Sequence, residues 1–136
     1  MRALFQKMWN REIAIGLGSS AIRLEHWLAR NEKCIGCTKG SGRKFKKSEY
    51  DFQRGKQYAY LYCLEQMEYV KFVSPGTLKE GYEEASTPMF LSTGIYRQFY
   101  MEKELFKDVM NSMKPDLRKS ILDFRNKTNE KLEELL

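Results

Sequence analysis

The sequence has few of the residues that usually carry catalysis or covalent cross-links. Its 136 residues include three cysteines and one histidine. An odd number of cysteines argues against a disulfide framework, so we expect reduced thiols in a cytoplasmic protein. A catalytic triad would have to use His26, which lies inside an apolar helical pattern where a structural imidazole is the more common finding. We therefore predict a non-enzymatic protein with no catalytic residues.

Long hydrophobic runs are also missing. The longest uncharged apolar stretch, residues 13–22, is about half as long as the ~20 residues that a membrane-spanning helix needs. Apolar residues at the N-terminus are interrupted by Gln6 and Lys7 and are not followed by a small-residue cleavage site, so we expect no signal peptide. Hydrophobic residues make up 42% of the chain, which is enough for one core. These features predict a single domain spanning 1–136 without a membrane partner.

Apolar residues recur at three- and four-residue steps over most of the chain, which is typical of amphipathic helices. Together with capping residues and prolines, this spacing predicts helices over about 4–13, 20–30, 48–72, 87–113 and 115–136. We interpret 16–19 as a break between the first two helices; the alternation of Ile13, Ile15 and Leu17 also fits a strand followed by a turn. The sequence predicts an all-α protein, a compact bundle of four to five helices.

Four of the predicted helices have a stripe of residues that we expect to be buried. In the second helix these are Leu24, Trp27 and Leu28. In the third they are Phe52, Ala59, Tyr60, Cys63, Met67 and Val70, and in the fourth Leu91, Ile95, Phe99, Phe106, Val109 and Met113. In the last helix they are Leu117, Ile121, Phe124, Leu132 and Leu135. Stripes of this kind are expected to meet in one core.

A Cys-x-x-Cys motif at Cys34 and Cys37 has the spacing of half a tetrahedral zinc site. A complete set of four ligands would also need Cys63 and His26, and the metal would then stabilise a loop with few apolar anchors of its own. Three alternatives stay open: a structural zinc ion, free cysteines, or a redox-active pair. Free cysteines without a cofactor are favoured, because Cys63 falls on a predicted buried stripe where a small thiol is ordinary.

Cationic residues are concentrated in one part of the chain. Residues 33–56 include eight Lys or Arg and two acidic residues, a difference that equals the net charge of the whole chain, +6. The segment 32–47, rich in glycine and lysine, is predicted to be a basic loop between the second and third helices. Cations interleaved with aromatic rings are typical of surfaces that bind phosphates by charge and bases by stacking. The predicted nucleic-acid-binding residues are Lys39, Arg43, Lys44, Phe45, Lys46, Lys47, Tyr50, Arg54 and Lys56.

Tyrosines are dense on the predicted third and fourth helices. Tyr58, Tyr60 and Tyr62 cannot all face one core, because alternate positions on a helix lie about 200° apart. Exposed tyrosines beside cations are favoured in protein interfaces. The predicted partner-binding residues are Tyr58, Tyr62, Tyr69, Tyr96 and Tyr100.

Two functions are compatible with these features. The leading hypothesis is a small accessory or regulatory protein, cytoplasmic or nucleoid-associated, that binds nucleic acid or a nucleic-acid machine through its basic segment. Because no sequence-reading motif accompanies the cations, contacts to the nucleic-acid backbone are expected to dominate. The alternative is a protein-protein interaction module, an inhibitor or adaptor that uses exposed Tyr, Met and Arg side chains or binds an acidic protein; viruses and mobile elements often encode small chains of this kind. The sequence does not specify an oligomeric state.

Overall fold

The computed structural model describes residues 2–31, 38–39, 43–44, 47–73, 80–85, 89–90 and 96–135. Within them the helices are α1 (Arg2–Asn31), α2 (Lys47–Gln66), α3 (Lys103–Ser112) and α4 (Pro115–Leu135). The strands are β1 (Thr38–Lys39), β2 (Arg43–Lys44), β3 (Val70–Val73), β4 (Tyr82–Glu84), β5 (Met89–Phe90) and β6 (Tyr96–Glu102). The described part of the chain is mostly helical, as predicted, and also contains a small antiparallel sheet. None of the described helices combines the length and hydropathy needed to cross a bilayer.

α1 is one continuous helix, so the predicted break at 16–19 is wrong. Gly18 does not form a turn there. It allows α1 to pack closely against the rest of the protein. A Cβ at this position would lie 3.0 Å from Cγ2 of Val109 and 3.2 Å from Cε of Met101. Buried residues recur at steps of four and three residues on both sides of 16–19, so the helix continues through this segment. The side that they form, the α1 core face, consists of Ala14, Gly18, Ala21, Ile22, Glu25 and Leu28, and the half-buried Ile15 and Leu17 pack beside it.

The two glycines of α1 provide a matched pair of variants. Gly16 has open space where a Cβ would lie, and alanine is favoured over glycine inside a helix by about 0.5–1 kcal/mol. We expect Gly16→Ala to raise the free energy of unfolding by this amount, or Tm by about 1.5–3 °C. Gly18→Ala is expected to forfeit the gain, because its methyl group must displace Val109 in a packed core. Equal stabilisation of both variants in thermal melts followed by circular dichroism would contradict the packing role of Gly18.

α2 ends at Gln66, before the predicted end near residue 72. The N–H of Glu68 donates to the carbonyl of Glu65 at 2.9 Å, and the N–H of Tyr69 donates to that of Leu64 at 3.0 Å. These two bonds form a Schellman cap, in which the left-handed position is usually glycine. Here Glu68 occupies it, with φ of 62°, so the sequence carries no obvious stop signal. The chain then continues into β3 instead of extending the helix.

The small sheet is built around β6. This strand pairs antiparallel with β3 and with β4, so that Tyr100 lies opposite both Lys71 and Glu84, and its first residues pair with β5. The helix predicted over 87–113 is therefore wrong over 96–102, where aromatic residues favour a central strand. Thr87, Pro88, Leu91 and Ile95, on which that helix start depended, lie outside the described residues.

The helical part of this segment begins after Glu102. The Glu102 carboxylate accepts hydrogen bonds from the backbone N–H groups of Glu104 at 3.0 Å and Leu105 at 3.1 Å. These bonds cap the first turn of α3 and satisfy donors that have no partner within the helix. α3 and α4 are separated by a two-residue connection before Pro115, the helix start that the sequence predicts.

The core lies where the helices meet one face of the sheet. Among the predicted core residues, Leu28, Phe99, Val109, Met113 and Ile121 are buried. Leu24, Trp27, Phe106, Leu117 and Phe124 are half-buried, and the side chains of Leu132 and Leu135 lie outside the described part. α4 is also fixed to the sheet, because Arg125 Nη1 donates a hydrogen bond of 2.6 Å to the carbonyl of Glu84.

α2 buries a different side from the one predicted. Its buried residues are Tyr50, Gln57, Leu61 and Leu64. Of the predicted stripe, Phe52, Ala59 and Cys63 are exposed, Tyr60 and Met67 are half-buried against the core, and Val70 is buried in β3. Apolar residues occupy both sides of this helix, and the buried side includes a polar glutamine, so hydrophobic spacing alone selects the wrong side. As a result α2 presents aromatic rings to solvent.

Candidate interaction surfaces

The described part of the predicted basic loop is a short hairpin. β1 and β2 pair antiparallel, with Lys39 opposite Arg43 and Thr38 opposite Lys44. This register brings two cationic residues side by side on paired strands. Phe45 and Lys46 lie outside the described residues, and Lys47 is exposed at the start of α2.

Two residues predicted to bind nucleic acid belong to the packing of α2 instead. Tyr50 is buried and packs with Leu28 and Trp27 of α1, so its ring is not available to stack on a base. Arg54 is half-buried and donates hydrogen bonds to the hydroxyl oxygens of Tyr50 and Tyr58. Its guanidinium also lies 5.7 Å from the centroid of each ring. Arg54 thus positions two tyrosines, a role that its charge alone does not indicate.

The exposed side of α2 carries aromatic rings and one lysine, and the exposed carboxylates of Asp51 and Glu65 lie beside them. We call it the α2 outer face; it consists of Phe52, Lys56, Tyr58, Ala59, Tyr62 and Cys63, all exposed. Phe52 is 66% exposed and Tyr62 is 61% exposed, values at which the rings can make intermolecular contacts. Sequence reasoning missed Phe52, because its spacing also fits a buried stripe.

The remaining tyrosines predicted to bind a partner do not join this surface. Tyr100 is 2% exposed on the central strand β6, so the prediction of a partner contact there is corrected to a core role. Tyr69 is half-buried and packs against the core. The side chain of Tyr96 lies outside the described part of the structure.

The first three turns of α1 carry a second exposed apolar surface. We call it the α1 stripe; it consists of Leu4, Phe5, Met8, Trp9 and Ile13, which are 43–72% exposed. Continuing the α1 core face toward the N-terminus by the same steps leads to Arg11 and Lys7, which are polar. Of the exposed apolar side chains, Phe5, Trp9 and Ile13 lie away from the α1 core face, whereas Leu4 and Met8 line grooves against Tyr69, Leu105 and Asp108. The sequence predicts an amphipathic helix here but not that its apolar side faces solvent.

One ion pair holds this part of α1 to the body of the molecule. Arg11 forms a salt bridge with Asp108 of α3, with Nε to Oδ2 at 2.8 Å. The hydrogen bond and charge of Asp108 raise the pKa of Arg11. A groove of about 710 Å³ runs beside the pair, lined by Phe5, Met8 and Trp9 on one side and by Asn111 on the other. The ion pair and the groove place the α1 stripe beside α3.

Two of the four predicted zinc ligands, His26 and Cys63, lie in the described part of the structure. Tyr50 packs against Leu28, close to His26, whereas Cys63 lies 13 residues further along α2, about 20 Å at 1.5 Å per residue. His26 also faces α4, where its ring centroid lies 4.9 Å from that of Phe124. The described part of the structure therefore does not bring these two predicted ligands together, and the zinc site stays a prediction. Cys34 and Cys37 lie outside the described residues, among which no three His, Cys, Asp or Glu side chains form a metal-binding group.

Comparison with known proteins gives no match: the chain resembles no family model, no curated protein and no solved structure at a significant level. The two exposed surfaces and the charge of the chain are therefore the features that point to a function.

Proposed function

We propose that this protein is a non-catalytic accessory protein that binds single-stranded nucleic acid through the α2 outer face and the basic segment before it. The observation that carries the proposal is the exposure of three rings, Phe52, Tyr58 and Tyr62, on a helix that directly follows the cationic segment. Exposed rings stack on bases with little regard to sequence, and cations neutralise the phosphates between them. Such a protein acts in the cytoplasm or on the nucleoid.

The arrangement of charge supports a polyanionic ligand. Lys47 and Lys56 are exposed at the beginning and middle of α2, and the hairpin register sets Lys39 opposite Arg43. Cationic residues held side by side repel one another and gain from an anion bound nearby. Arg54 holds the ring of Tyr58 in place, which reduces the entropy lost when a base stacks on it.

The exposed rings favour a single strand over a duplex. In a duplex the bases are already stacked and face inward, so rings on the outside of a helix such as α2 find only backbone. An acidic protein would satisfy the cations but would leave the stacking capacity of Phe52 and Tyr62 unused.

Removal of two rings tests the stacking role. Since stacking contributes about 1–3 kcal/mol per base, we expect Phe52→Ala combined with Tyr62→Ala to weaken binding of a labelled 20-nucleotide single strand by about 30-fold or more. Binding to a duplex of the same length is expected to change little. Fluorescence anisotropy measures both affinities.

The matched control keeps both rings. Phe52→Tyr combined with Tyr62→Phe exchanges a hydroxyl group between two exposed positions and is expected to bind the single strand like the unmodified protein. Unchanged affinity of the double alanine variant would contradict the proposal that these rings contact bases.

A protein-protein interaction module is the second candidate function, and the α1 stripe favours it. Contiguous exposed apolar patches of several hundred Å² mark interaction sites in soluble proteins. This surface is separate from the α2 outer face, so the two functions are tested with different residues.

A further inference from the structure

Along α1, two aromatic residues of the α1 stripe are flanked at equal spacing by two residues of opposite charge. Arg2, Phe5, Trp9 and Glu12 follow one another at steps of three, four and three residues, which is the spacing of a coiled-coil seam. The two rings lie inside and the opposite charges lie at the two ends. A segment of this kind is complementary to a second copy of itself running the other way.

We propose that α1 is the interface of a homodimer, in which the first three turns of two copies pack antiparallel about a two-fold axis. In this arrangement Phe5 of each copy lies against Trp9 of the other, and Arg2 of each copy lies beside Glu12 of the other. An aromatic contact of this type contributes beyond the area it buries. The inference uses none of the residues that carry the proposed nucleic-acid function.

The N-terminus of α1 supports the antiparallel direction. The first turn of α1 contains no acidic residue, although negative charge near a helix N-terminus is stabilising. Antiparallel packing brings Glu12 of the second copy to this end. The two helix dipoles then point in opposite directions, which is favourable. A parallel arrangement would place Arg2 beside Arg2 and Glu12 beside Glu12, which is repulsive.

The exposed area suits a weak dimer. A large apolar side chain carries on the order of 200 Å², so Phe5, Trp9 and Ile13, exposed at 43–72%, offer on the order of 350 Å² on the side of the seam. A standard interface takes roughly 800 Å² from each partner, and Arg2 and Glu12 supply part of the difference. We expect a dimer that dissociates on dilution in the micromolar range.

A lipid surface fits the same residues less well. Glu12 lies within the arc of the α1 stripe, three residues from Trp9 and four from Met8, and would enter the apolar phase with the rings. Of the cations nearby, Arg11 is already paired with Asp108. Interfacial helices place a cationic face opposite the apolar one and leave acidic residues out of the apolar side.

Sedimentation velocity of the full chain from about 1 to 200 μM measures the monomer-dimer equilibrium. Phe5→Ala combined with Trp9→Ala is expected to raise the dissociation constant at least about 30-fold, as truncation at a hot spot does. Phe52→Ala, at an equally exposed ring on α2, is the control and is expected to leave the equilibrium unchanged. A chain that stays monomeric over the whole range, whether or not it binds anionic vesicles or another protein, overturns the proposal.

A charge exchange tests the direction of packing. Arg2→Glu and Glu12→Arg are each expected to weaken the dimer about 10-fold, because each creates two repulsive pairs across the axis. The variant that carries both substitutions restores opposite charges at both ends and is expected to dimerise like the unmodified protein. Failure of the combined variant to recover contradicts the antiparallel arrangement. Circular dichroism at the same concentrations verifies that every variant is folded.

Discussion

Replacement of Tyr100 by alanine is expected to lower the free energy of unfolding by about 3–5 kcal/mol, the range for truncating a large buried aromatic side chain. Tyr100 is 2% exposed and lies on β6 between β3 and β4, so the vacated volume is enclosed on the sheet. At about 3 °C per kcal/mol for a chain of this size, the loss lowers Tm by more than about 9 °C. Urea titration followed by circular dichroism measures the difference in stability.

Tyr62→Ala is the matched control for this prediction. Its ring is 61% exposed on the α2 outer face, and surface substitutions usually change stability by no more than about 0.5 kcal/mol. Tyr100→Ala is thus expected to lower stability, whereas Tyr62→Ala is expected to weaken binding. If both variants kept the unmodified stability, the placement of Tyr100 in the interior would be wrong.

The second large effect is expected from charge reversal in the basic segment. With Lys44, Lys46 and Lys47 all changed to Glu, we expect the affinity for a single strand at low salt to fall by at least about 100-fold. Each phosphate contact that is lost lowers the slope of log K against log salt concentration by about 0.7 for a single strand, so three contacts lower it by about 2. Titrations at four salt concentrations between about 50 and 200 mM give the slope.

A control variant with the same change in net charge at another place shows whether binding depends on local contacts or on the net charge of the chain. Lys103, Lys107 and Lys114 are exposed on and after α3, and changing all three to Glu alters the net charge by the same amount. We expect this variant to keep most of the salt slope, because screening restricts the influence of distant charges to about 10 Å at 0.1 M salt. Equal losses for the two variants would assign binding to the overall charge and not to the basic segment.

Helices with one clear apolar side could be predicted from the sequence. α4 is the best case: the proline marks its start, and Ile121 lies at the buried centre of the predicted stripe. In α2 hydrophobic spacing selects the wrong side. Phe52 and Cys63 have the spacing of a buried stripe but lie on a side that faces solvent. The side that is buried includes Gln57, and tertiary contacts decide between two sides that the spacing cannot rank.

The strand β6 and the course of α1 depend on contacts between distant parts of the chain. Phe99 falls at both helical and strand spacing, and pairing with β3 and β4 determines the outcome. Gly18 resembles a helix break until the position of Val109 is known. In both cases the local pattern is ambiguous and the non-local contact resolves it.

The candidate surfaces could be predicted only in part. Tyr58 and Tyr62 follow from the argument that alternate residues on a helix cannot share one core, whereas Tyr50 is buried against α1. The α1 stripe is a regular apolar pattern in the sequence. Which of its residues face solvent depends on how α1 meets the rest of the protein.

The most direct test of the central claim is the binding of the unmodified protein to a labelled single strand, with an unlabelled duplex as competitor, at about 50 and 200 mM salt. We predict micromolar or tighter binding to the single strand, a steep decrease in affinity with salt, and weak competition by the duplex. Absence of binding at the lower salt concentration, or displacement by duplex and single strand at equal concentrations, would contradict a surface built to stack exposed bases.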